Sequence, residues 1–255
     1  MPNLTTSRQS QVTLTEAGHS TTVDLYSRAG LEFLSNLWIK AAAEFRLMYE
    51  PTWLGRPIIQ FPTDIVAIQE LLWQVQPEVV VETGVAHGGS LLLSASILEL
   101  LGRGRVIGVD LDIRPPNRAA LAAHPLWPRL HLIEGSSTAP EVFAQVRAQC
   151  AGAHPVLVFL DSNHTAAHVG RELELYHTLV TPGSYLVAHD GAQAWVSDIP
   201  SGKPEWGQDH PLAAIHTFLA AHPEFQADPH WTRWLITSSP DGFLRRRTDE
   251  ELEQR

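Results

Sequence analysis

The sequence predicts an α/β protein built on a doubly wound, mainly parallel β-sheet. Three observations lead to this prediction. Apolar runs typical of strands buried on both faces alternate with stretches of helical periodicity over residues 77–247. A glycine-rich turn joins the first apolar run to the helix after it. Acidic or histidine residues directly follow the strands, and ligands of such sheets bind at the carboxyl ends of the strands.

The composition limits the class of protein. A chain of 255 residues with 44% hydrophobic residues is long and apolar enough for one large domain with an extension. The formal net charge of −10 argues against a nucleic-acid partner, because phosphates require a basic surface. The single cysteine, Cys150, excludes a disulfide framework within the chain. No apolar run is long enough to span a bilayer, and no basic stretch followed by an apolar one opens the sequence. We therefore expect a soluble, cytoplasmic protein without a membrane partner.

The region before the sheet divides into two parts. Residues 1–21 are rich in Thr, Ser and Gln and are predicted to form a flexible arm. Residues 22–76 are predicted to form a helical extension or lid, with two helices separated by an ordered loop rich in proline and glycine. The sheet domain follows at 77–247, and residues 248–255 are expected to be a solvated tail. The first helix is predicted over residues 24–49, and its apolar stripe should cover the active site or make an oligomer contact: Leu31, Leu34, Trp38 and Phe45.

The first strand of the sheet domain leads into the glycine turn, residues 84–89. Three consecutive valines are followed by Glu82, by Gly84 and, after three further residues, by Gly88. This spacing differs from the G-x-G-x-x-G of dinucleotide-binding enzymes. It fits better an E-x-G-x-x-x-G turn that holds the amino-acid end of S-adenosylmethionine, with backbone N–H groups at a helix N-terminus facing the ligand. The alternative is a tight connection between strand and helix without a ligand.

The next two strands end in residues suited to a nucleoside. The strand over 105–109 is followed by Asp110 and Asp112, where a carboxylate accepts both ribose hydroxyls; the alternative is a carboxylate that caps the next helix. The strand over 129–133 opens onto Ser136 and Ser137, beside which an adenine could lie. A capping box, Thr138-x-x-Glu141, is predicted to start the helix that follows.

The last parallel strands end in potential metal ligands. The strand over 155–160 is followed by Asp161 and, three residues later, His164. The strand over 184–188 is followed by His189 and Asp190. These side chains should converge with Glu82 and Asp110 at one edge of the sheet. Short strands near 225, at 234–237 and at 242–245 are predicted to close the fold.

Several motifs together resemble those of the cephalosporin hydroxylase family. They are Trp53-x-Gly55-x-Pro57-x-x-Gln60-x-Pro62-x-Asp64, Gln69-Glu70, Pro77, the Glu82 to Ser90 turn, Leu160-Asp161-Ser-Asn-His164, Pro182-Gly183-Ser184-Tyr185 and Pro240-Asp-Gly242-Phe-Leu-Arg245. Despite its name, that family is similar to the Rossmann-like class I methyltransferases. It includes magnesium-dependent sugar O-methyltransferases of antibiotic pathways.

The resemblance implies an S-adenosylmethionine-dependent O-methyltransferase that acts on a hydroxyl, expected on a sugar, of a secondary metabolite. The partner would be a small-molecule glycosylated natural product, and the protein would be a homo-oligomer. The cofactor would be bound by Glu82, Thr83, Gly84, Gly88, Ser90, Asp110, Asp112, Ser136, Ser137 and Asp161. A divalent metal, Mg or Mn, would be bound by Asp161, His189 and Asp190. Catalysis would be carried out by His164, as general base, and by Asp161.

One position departs from the family pattern. His189 stands where the family has a carboxylate, and an imidazole suits softer metals than magnesium. The identity of the metal, and whether catalysis requires one, are therefore left open. Two other classes of function were weighed. An NAD-dependent oxidoreductase is disfavoured by the missing G-x-G-x-x-G, and a non-catalytic partner of a hydroxylase in antibiotic biosynthesis would lack methyl transfer.

Overall fold

The N-terminal region contains more β-structure than its composition indicates. The structure, a computed structural model, describes residues 10–16 and 19–254. Strands β1 (Gln11–Glu16) and β2 (His19–Asp24) form an antiparallel hairpin. Hydrogen bonds between hydroxyl groups cross this hairpin, and β-branched threonines favour extended backbone. The predicted flexible arm, 1–21, is therefore wrong for residues 11–16 and 19–21, whereas residues 1–9, 17 and 18 lie outside the described residues.

A helical extension follows the hairpin. It consists of α1 (Arg28–Glu44), a short 3₁₀ helix (Leu47–Tyr49), the paired strands β3 (Thr52–Trp53) and β4 (Arg56–Pro57), and α2 (Pro62–Val75). Helix α1 begins at Ser27, whose hydroxyl accepts the N–H of Gly30. The predicted helix over 24–49 is thus shorter at both ends.

The sheet domain alternates strands with helices. Its elements are β5 (Val79–Thr83), α3 (Gly89–Leu100), β6 (Arg105–Asp110), α4 (Pro115–Ala122), β7 (Leu130–Glu134), α5 (Pro140–Gln149), β8 (Val156–Leu160), α6 (Ala166–Tyr176), β9 (Tyr185–Ala188), α7 (Pro211–Ala221), β10 (Phe225–Ala227), β11 (Phe243–Arg246) and α8 (Asp249–Glu253). The strand order is β10-β11-β9-β8-β5-β6-β7. The five strands from β5 to β9 are parallel, and β11 and β10 extend the sheet antiparallel. This arrangement confirms the predicted doubly wound, mainly parallel fold.

The core lies on both faces of the sheet. One cluster packs α2 and α3 against one face, and the other packs α5, α6 and α7 against the opposite face. The register pairs Thr83 with Leu160, and Leu160 with Ala188. Residues 84, 161 and 189 therefore leave the sheet at the same edge. In the described part of the chain, no helix is both long and apolar enough to cross a membrane.

Two local predictions fail. Residues 234–237 form no strand in the structure, because the sheet is closed by β10 and β11 alone. The predicted capping box at Thr138 is absent, since α5 begins after Ala139 without a side-chain cap and Thr138 Oγ1 instead lies 3.0 Å from Ser136 Oγ. The tail expected to be solvated has no buried residue in α8, a helix that was not predicted and that begins with a capping box of its own at Thr248.

Candidate functional site

Side chains from three neighbouring elements fix the glycine turn. Asp110 Oδ2 accepts hydrogen bonds from the backbone N–H groups of Val85 and Ala86 at 2.7 and 3.2 Å. Asn117 Nδ2, on α4, donates to the carbonyl of Ala86 at 2.7 Å, and Arg56 Nη2 donates to Asn117 Oδ1 at 2.8 Å. The turn is thus held in place by contacts from β6, α4 and β4.

The glycine at position 84 is required by a neighbouring strand end. Gly84 has a φ of +92°, and a Cβ atom there would lie 1.9 Å from the carbonyl oxygen of Asp161. Backbone at this separation leaves no room for any side chain. We expected Gly84 to admit a ligand, whereas the structure shows that it admits the backbone of the fourth parallel strand. Gly84 and Asp161 are therefore in direct contact.

Glu82 lies beneath the turn. It is 2% exposed, and the hydroxyl of Ser90 donates to its carboxyl oxygen Oε1. Burial raises the pKa of Glu82 to about 8, while the hydrogen bond from Ser90 opposes that shift. The carboxyl group faces a small pocket shared with Gln60, Ser90 and Asp161. Glu82 is therefore protonated at neutral pH in the protein without ligand.

A cavity of about 210 Å³ opens above the glycine turn. It brings together many residues predicted for the site, namely Gly84, Gly88, Ser90, Asp110, Asp161, His164 and Asp190. Helix α3 begins at Gly88 without a side-chain cap, so the first N–H groups of α3 are free of a capping side chain at the cavity wall. Such a helix N-terminus favours a carboxylate or another anionic group.

A second, more apolar cavity of about 290 Å³ lies beside the first. Its apolar lining comes from α1, the loop before α2 and the segment after β9: Ile39, Ala43, Met48, Ile59, Phe61, Ala192, Val196, Ile199 and Trp206. Both cavities are lined by Tyr49, Gln60, His164 and Asp190. The two spaces thus meet at a polar group of side chains.

That polar group has the donor atoms of a metal site. Asp161, His164 and Asp190 each offer a ligand atom within 4.8 Å of those of the other two. His164 Nε2 lies 3.3 Å from Asp190 Oδ2, and Gln60 Nε2 lies 3.3 Å from Asp161 Oδ2. Burial, together with the negative charges of Asp190, Glu82 and Glu172, holds the pKa of Asp161 well above its ordinary value. A divalent cation would relieve this repulsion, so the residues present fit one.

His189 lies outside this group. Its Nδ1 atom is 2.9 Å from Ser239 Oγ, its ring stacks on Phe159 at 5.8 Å, and it is 4% exposed. Burial lowers the pKa of His189 to about 4, so the imidazole is neutral at physiological pH. No ligand atom of His189 belongs to the group that Asp161, His164 and Asp190 form, and this argues against its predicted role as a metal ligand. The structure instead brings His164 to the two aspartates.

Five predicted cofactor-binding residues do not line the cavity above the turn: Glu82, which faces the small pocket described above, and four others. Thr83 is fully buried, and its hydroxyl accepts the N–H of Asp161 at 3.4 Å. Asp112 is exposed and donates its N–H to Asp110 Oδ1 at 3.2 Å. Ser136 bonds to Thr138. Ser137 Oγ lies 3.2 Å from the Nε2 atom of His168, against α6. The cavity above the turn therefore contacts fewer residues than the motifs predict.

Two site residues had no role in the sequence prediction. Gln60, 3% exposed, contacts Asp161 and has its Oε1 atom buried without a partner, which leaves an acceptor for a ligand or water. Its place in the motif with Trp53 was the available signal. Glu172, fully buried, accepts from Ser162 Oγ at 2.7 Å beneath the Asp161 loop. No motif pointed to Glu172, because its burial depends on how α6 packs.

Comparison with known proteins identifies the family. Residues 45–247 match the family described as Rhamnosyl O-methyltransferase/CmcI, a range that covers most of the chain. The chain belongs to this family. Membership confirms the resemblance to the cephalosporin hydroxylase family and the predicted class of enzyme, an S-adenosylmethionine-dependent O-methyltransferase.

Individual relatives agree with this family. A rhamnosyl O-methyltransferase from Mycobacterium leprae (strain TN) is 33% identical over 142 residues, which are 54% of this chain and 59% of that protein. One from Mycobacterium bovis (strain BCG / Pasteur 1173P2) is 29% identical over 198 residues, 76% of this chain and 77% of that protein. A CmcI structure described as a Mg-SAM form is 22% identical, with a TM-score of 0.58 over 78% of each chain. This structural likeness confirms the Rossmann-like class I methyltransferase fold.

Proposed function

We propose that this family member transfers a methyl group from S-adenosylmethionine to a sugar hydroxyl of a glycosylated small molecule. The observation that carries the proposal is the meeting of two cavities at His164 and Asp190. One cavity is formed by a glycine turn and a helix N-terminus, and the other is mainly apolar. A polar reaction centre between a cofactor space and an acceptor space is what methyl transfer requires.

The cavity above the glycine turn would hold the cofactor. The free N–H groups at the start of α3 suit the carboxylate of its methionine part, and Glu82 suits the ammonium group once it gives up its proton. The Asp110 carboxylate retains lone pairs for ribose hydroxyls beyond the three N–H groups that it accepts. The binding of cofactor by Thr83, Asp112, Ser136 and Ser137 finds no support in the shape of this cavity.

The apolar cavity would hold the acceptor. Its aliphatic and aromatic walls favour a glycoside whose sugar is attached to an apolar aglycone. The names of the relatives support a sugar acceptor, since two of them are rhamnosyl O-methyltransferases. A secondary metabolite, including one from an antibiotic pathway, is the kind of glycoside that we infer.

Asp161 and Asp190 would hold the divalent ion, with Mg²⁺ or Mn²⁺ suited to their oxygen donors. When bound, such an ion supplies a Lewis acid that lowers the pKa of a neighbouring hydroxyl. Gln60 Oε1 lies close by as a further oxygen donor, through its contact with Asp161. His189 takes no part in this proposal, because its ligand atoms do not converge with those of Asp161, His164 and Asp190.

His164 would act as the general base. Asp190 lies beside the Nε2 atom of His164, so it can accept that N–H and leave Nδ1 as the proton acceptor. The acceptor oxygen attacks the methyl carbon, the carbon–sulfur bond breaks with its electron pair moving to sulfur, and the hydroxyl proton passes to His164. Asp190 then stabilises the imidazolium that forms. The products are the methyl ether and S-adenosylhomocysteine.

The exposed face of α1 supports the predicted homo-oligomer. Leu31, Trp38 and Phe45 are 51%, 38% and 76% exposed, although the sequence places them on an apolar stripe. Light scattering of the purified protein would measure its mass, and a monomer at all concentrations would contradict the assembly. That the protein functions in the cytoplasm stays a prediction.

The proposal is tested by methyl transfer from labelled S-adenosylmethionine to glycosides. We expect transfer to a sugar on an apolar aglycone, loss of that transfer in EDTA, and its recovery with Mg²⁺ or Mn²⁺. The free sugar should be a poorer acceptor, because it leaves the apolar cavity empty. Cofactor binding without transfer to any hydroxylated acceptor would instead support the accessory role beside a hydroxylase.

A further inference from the structure

A second group of ligand-type side chains lies far from the reaction centre, where α6 and α7 end. Glu174 is in the last turn of α6, His177 is its C-cap, and His222 is the C-cap of α7. One ligand atom of each lies within 4.8 Å of those of the other two. Helix α6 starts beside the Asp161 loop and is 11 residues long, which places its end about 16 Å away at 1.5 Å per residue.

Hydrogen bonds orient both histidine rings. His177 Nδ1 lies 3.0 Å from the carbonyl oxygen of Leu173, which only accepts, so Nδ1 carries the hydrogen and Nε2 has the lone pair in the neutral ring. His222 contacts a carboxylate through each nitrogen, with Nδ1 3.0 Å from Glu224 Oε1 and Nε2 3.1 Å from Glu174 Oε1. The neutral form of His222 that donates to Glu224 has its lone pair on Nε2, next to Glu174. This is how metal-binding histidines are usually arranged, with the second nitrogen donating to a carbonyl or carboxylate.

The group is held rigidly by aromatic packing. The His177 and His222 rings lie 4.6 Å apart, and His222 stacks on Phe218 at 4.2 Å. His177 also contacts the edge of Phe225, at 6.2 Å between ring centres. Both imidazoles are thus partly buried in an apolar surround, which limits their rotation.

The local field favours a cation. The C-terminal ends of α6 and α7 converge here, and each carries partial negative charge on its free carbonyl groups. Glu174 and Glu224 add two carboxylates, with Glu174 Oε1 lying 3.1 Å from His222 Nε2. A proton competes with the metal for His222, because the protonated ring can donate to both carboxylates at once.

We propose that Glu174, His177 and His222 form a distal site for a divalent transition metal, which we take to be Zn²⁺. Two imidazoles and one carboxylate match the preferences of zinc and leave a fourth position for water, whereas Mg²⁺ prefers oxygen donors. Glu224 is a positioning residue. It accepts the Nδ1 hydrogen of His222, so it contacts the ring nitrogen that would not bind the metal. The site would tie the end of α6 to the end of α7, independently of methyl transfer.

The test is calorimetric titration of the chelator-treated full chain with zinc chloride at about pH 8, above the pKa of an ordinary imidazole, where protons compete less with the metal. Glu174→Gln removes an exposed ligand without disturbing the core, and Glu224→Gln removes only the positioning carboxylate. We expect both variants to weaken one zinc-binding event by about 10- to 100-fold, and excess Mg²⁺ to leave that event unchanged. His222→Gln should abolish it.

Two matched controls separate this site from the others. His216→Gln changes a histidine on the same helix that pairs with Asp241 at 3.0 Å, and this variant should bind zinc like wild type. Asp190→Asn should keep the distal binding event while changing the active site. Equal zinc affinity in wild type, Glu174→Gln and Glu224→Gln would overturn the proposal and leave a proton-bridged ion-pair cluster. Since Glu174 is on the surface, this outcome does not depend on whether His222→Gln folds.

Discussion

The Nε2 atom of His164 lies 3.3 Å from the Oδ2 atom of Asp190, although the two residues follow different strands. Both side chains are partly exposed, and both line the two cavities that meet between the glycine turn and α1. This pair, rather than the adjacent His189–Asp190 pair, joins Asp161 in the polar group. Adjacent residues 189 and 190 therefore have different expected roles: Asp190 belongs to the metal group, and His189 does not.

The first prediction concerns metal affinity. Asp190→Asn should weaken Mn²⁺ binding at the active site by at least about tenfold, because it removes a carboxylate ligand. His189→Gln should leave that affinity unchanged, because His189 is not among the residues whose ligand atoms converge there. Electron paramagnetic resonance of free Mn²⁺ measures both. A large loss in His189→Gln, with the fold intact by circular dichroism, would restore His189 as a ligand.

The second prediction concerns the contact between Gly84 and Asp161. Gly84→Ala should destabilise the protein by about 4 kcal/mol or more, or prevent folding, because its Cβ would overlap backbone at 1.9 Å. Gly102 is the matched control, since it also has positive φ, +70°, but open space around its Cα. Gly102→Ala should cost only about 1–2 kcal/mol. Urea unfolding measures the loss of stability in both variants. Similar losses would mean that the positive φ, and not the contact with Asp161, determines the cost of the substitution at Gly84.

The third prediction concerns a proton. Because the pKa of Glu82 is raised to about 8, its carboxyl group is protonated below that pH and neutral at pH 7. An ammonium group placed beside it lowers the pKa, so cofactor binding should release a proton near neutral pH. Calorimetric titration with S-adenosylhomocysteine, without metal, in buffers of different ionisation enthalpy measures this release. In Glu82→Gln the binding enthalpy should no longer depend on the buffer. A wild-type protein whose binding enthalpy is independent of the buffer would mean that the ammonium group of the cofactor lies away from Glu82.

The fourth prediction separates two nearby carboxylates. Asp110→Ala should weaken S-adenosylhomocysteine binding by at least about tenfold, since it frees two N–H groups of the turn and removes the ribose acceptor. Asp112→Ala should bind normally, because that side chain is exposed and away from the cavity. Hydrogen exchange at Val85 and Ala86 should speed up only in Asp110→Ala. Equal loss of binding in both variants would require Asp112 to contact the cofactor.

Much of the sheet could be predicted from the sequence, because buried parallel strands are continuous apolar runs. The strand ends follow from the same pattern, which is why Asp161 and Asp190 were expected near each other. The orientation of the His189 ring could not be predicted, since it depends on a hydrogen bond with Ser239, 50 residues later in the chain. A residue type at a strand end does not fix the direction of its side chain.

Whether the apolar face of a helix is buried within this chain was harder to predict. The periodicity of α1 indicated an apolar stripe that covers the active site or makes an oligomer contact; in the structure Leu31 and Phe45 are exposed, while Ile39 and Ala42 are buried. Helical spacing shows which residues share a face, but not whether that face meets this chain or another. The hairpin from Gln11 was missed although Val12 and Leu14 alternate with polar residues in β1, because the alternation is short and the surrounding Thr, Ser and Gln indicated an arm.

The most direct test of the account is the single-turnover rate of methyl transfer in His164→Ala, with cofactor affinity measured on the same sample. We predict a rate at least about 100-fold below wild type with unchanged binding of S-adenosylhomocysteine, because the general base is lost while the glycine turn is intact. A rate close to wild type across the pH range would contradict the central claim that His164 is the proton acceptor between the two cavities.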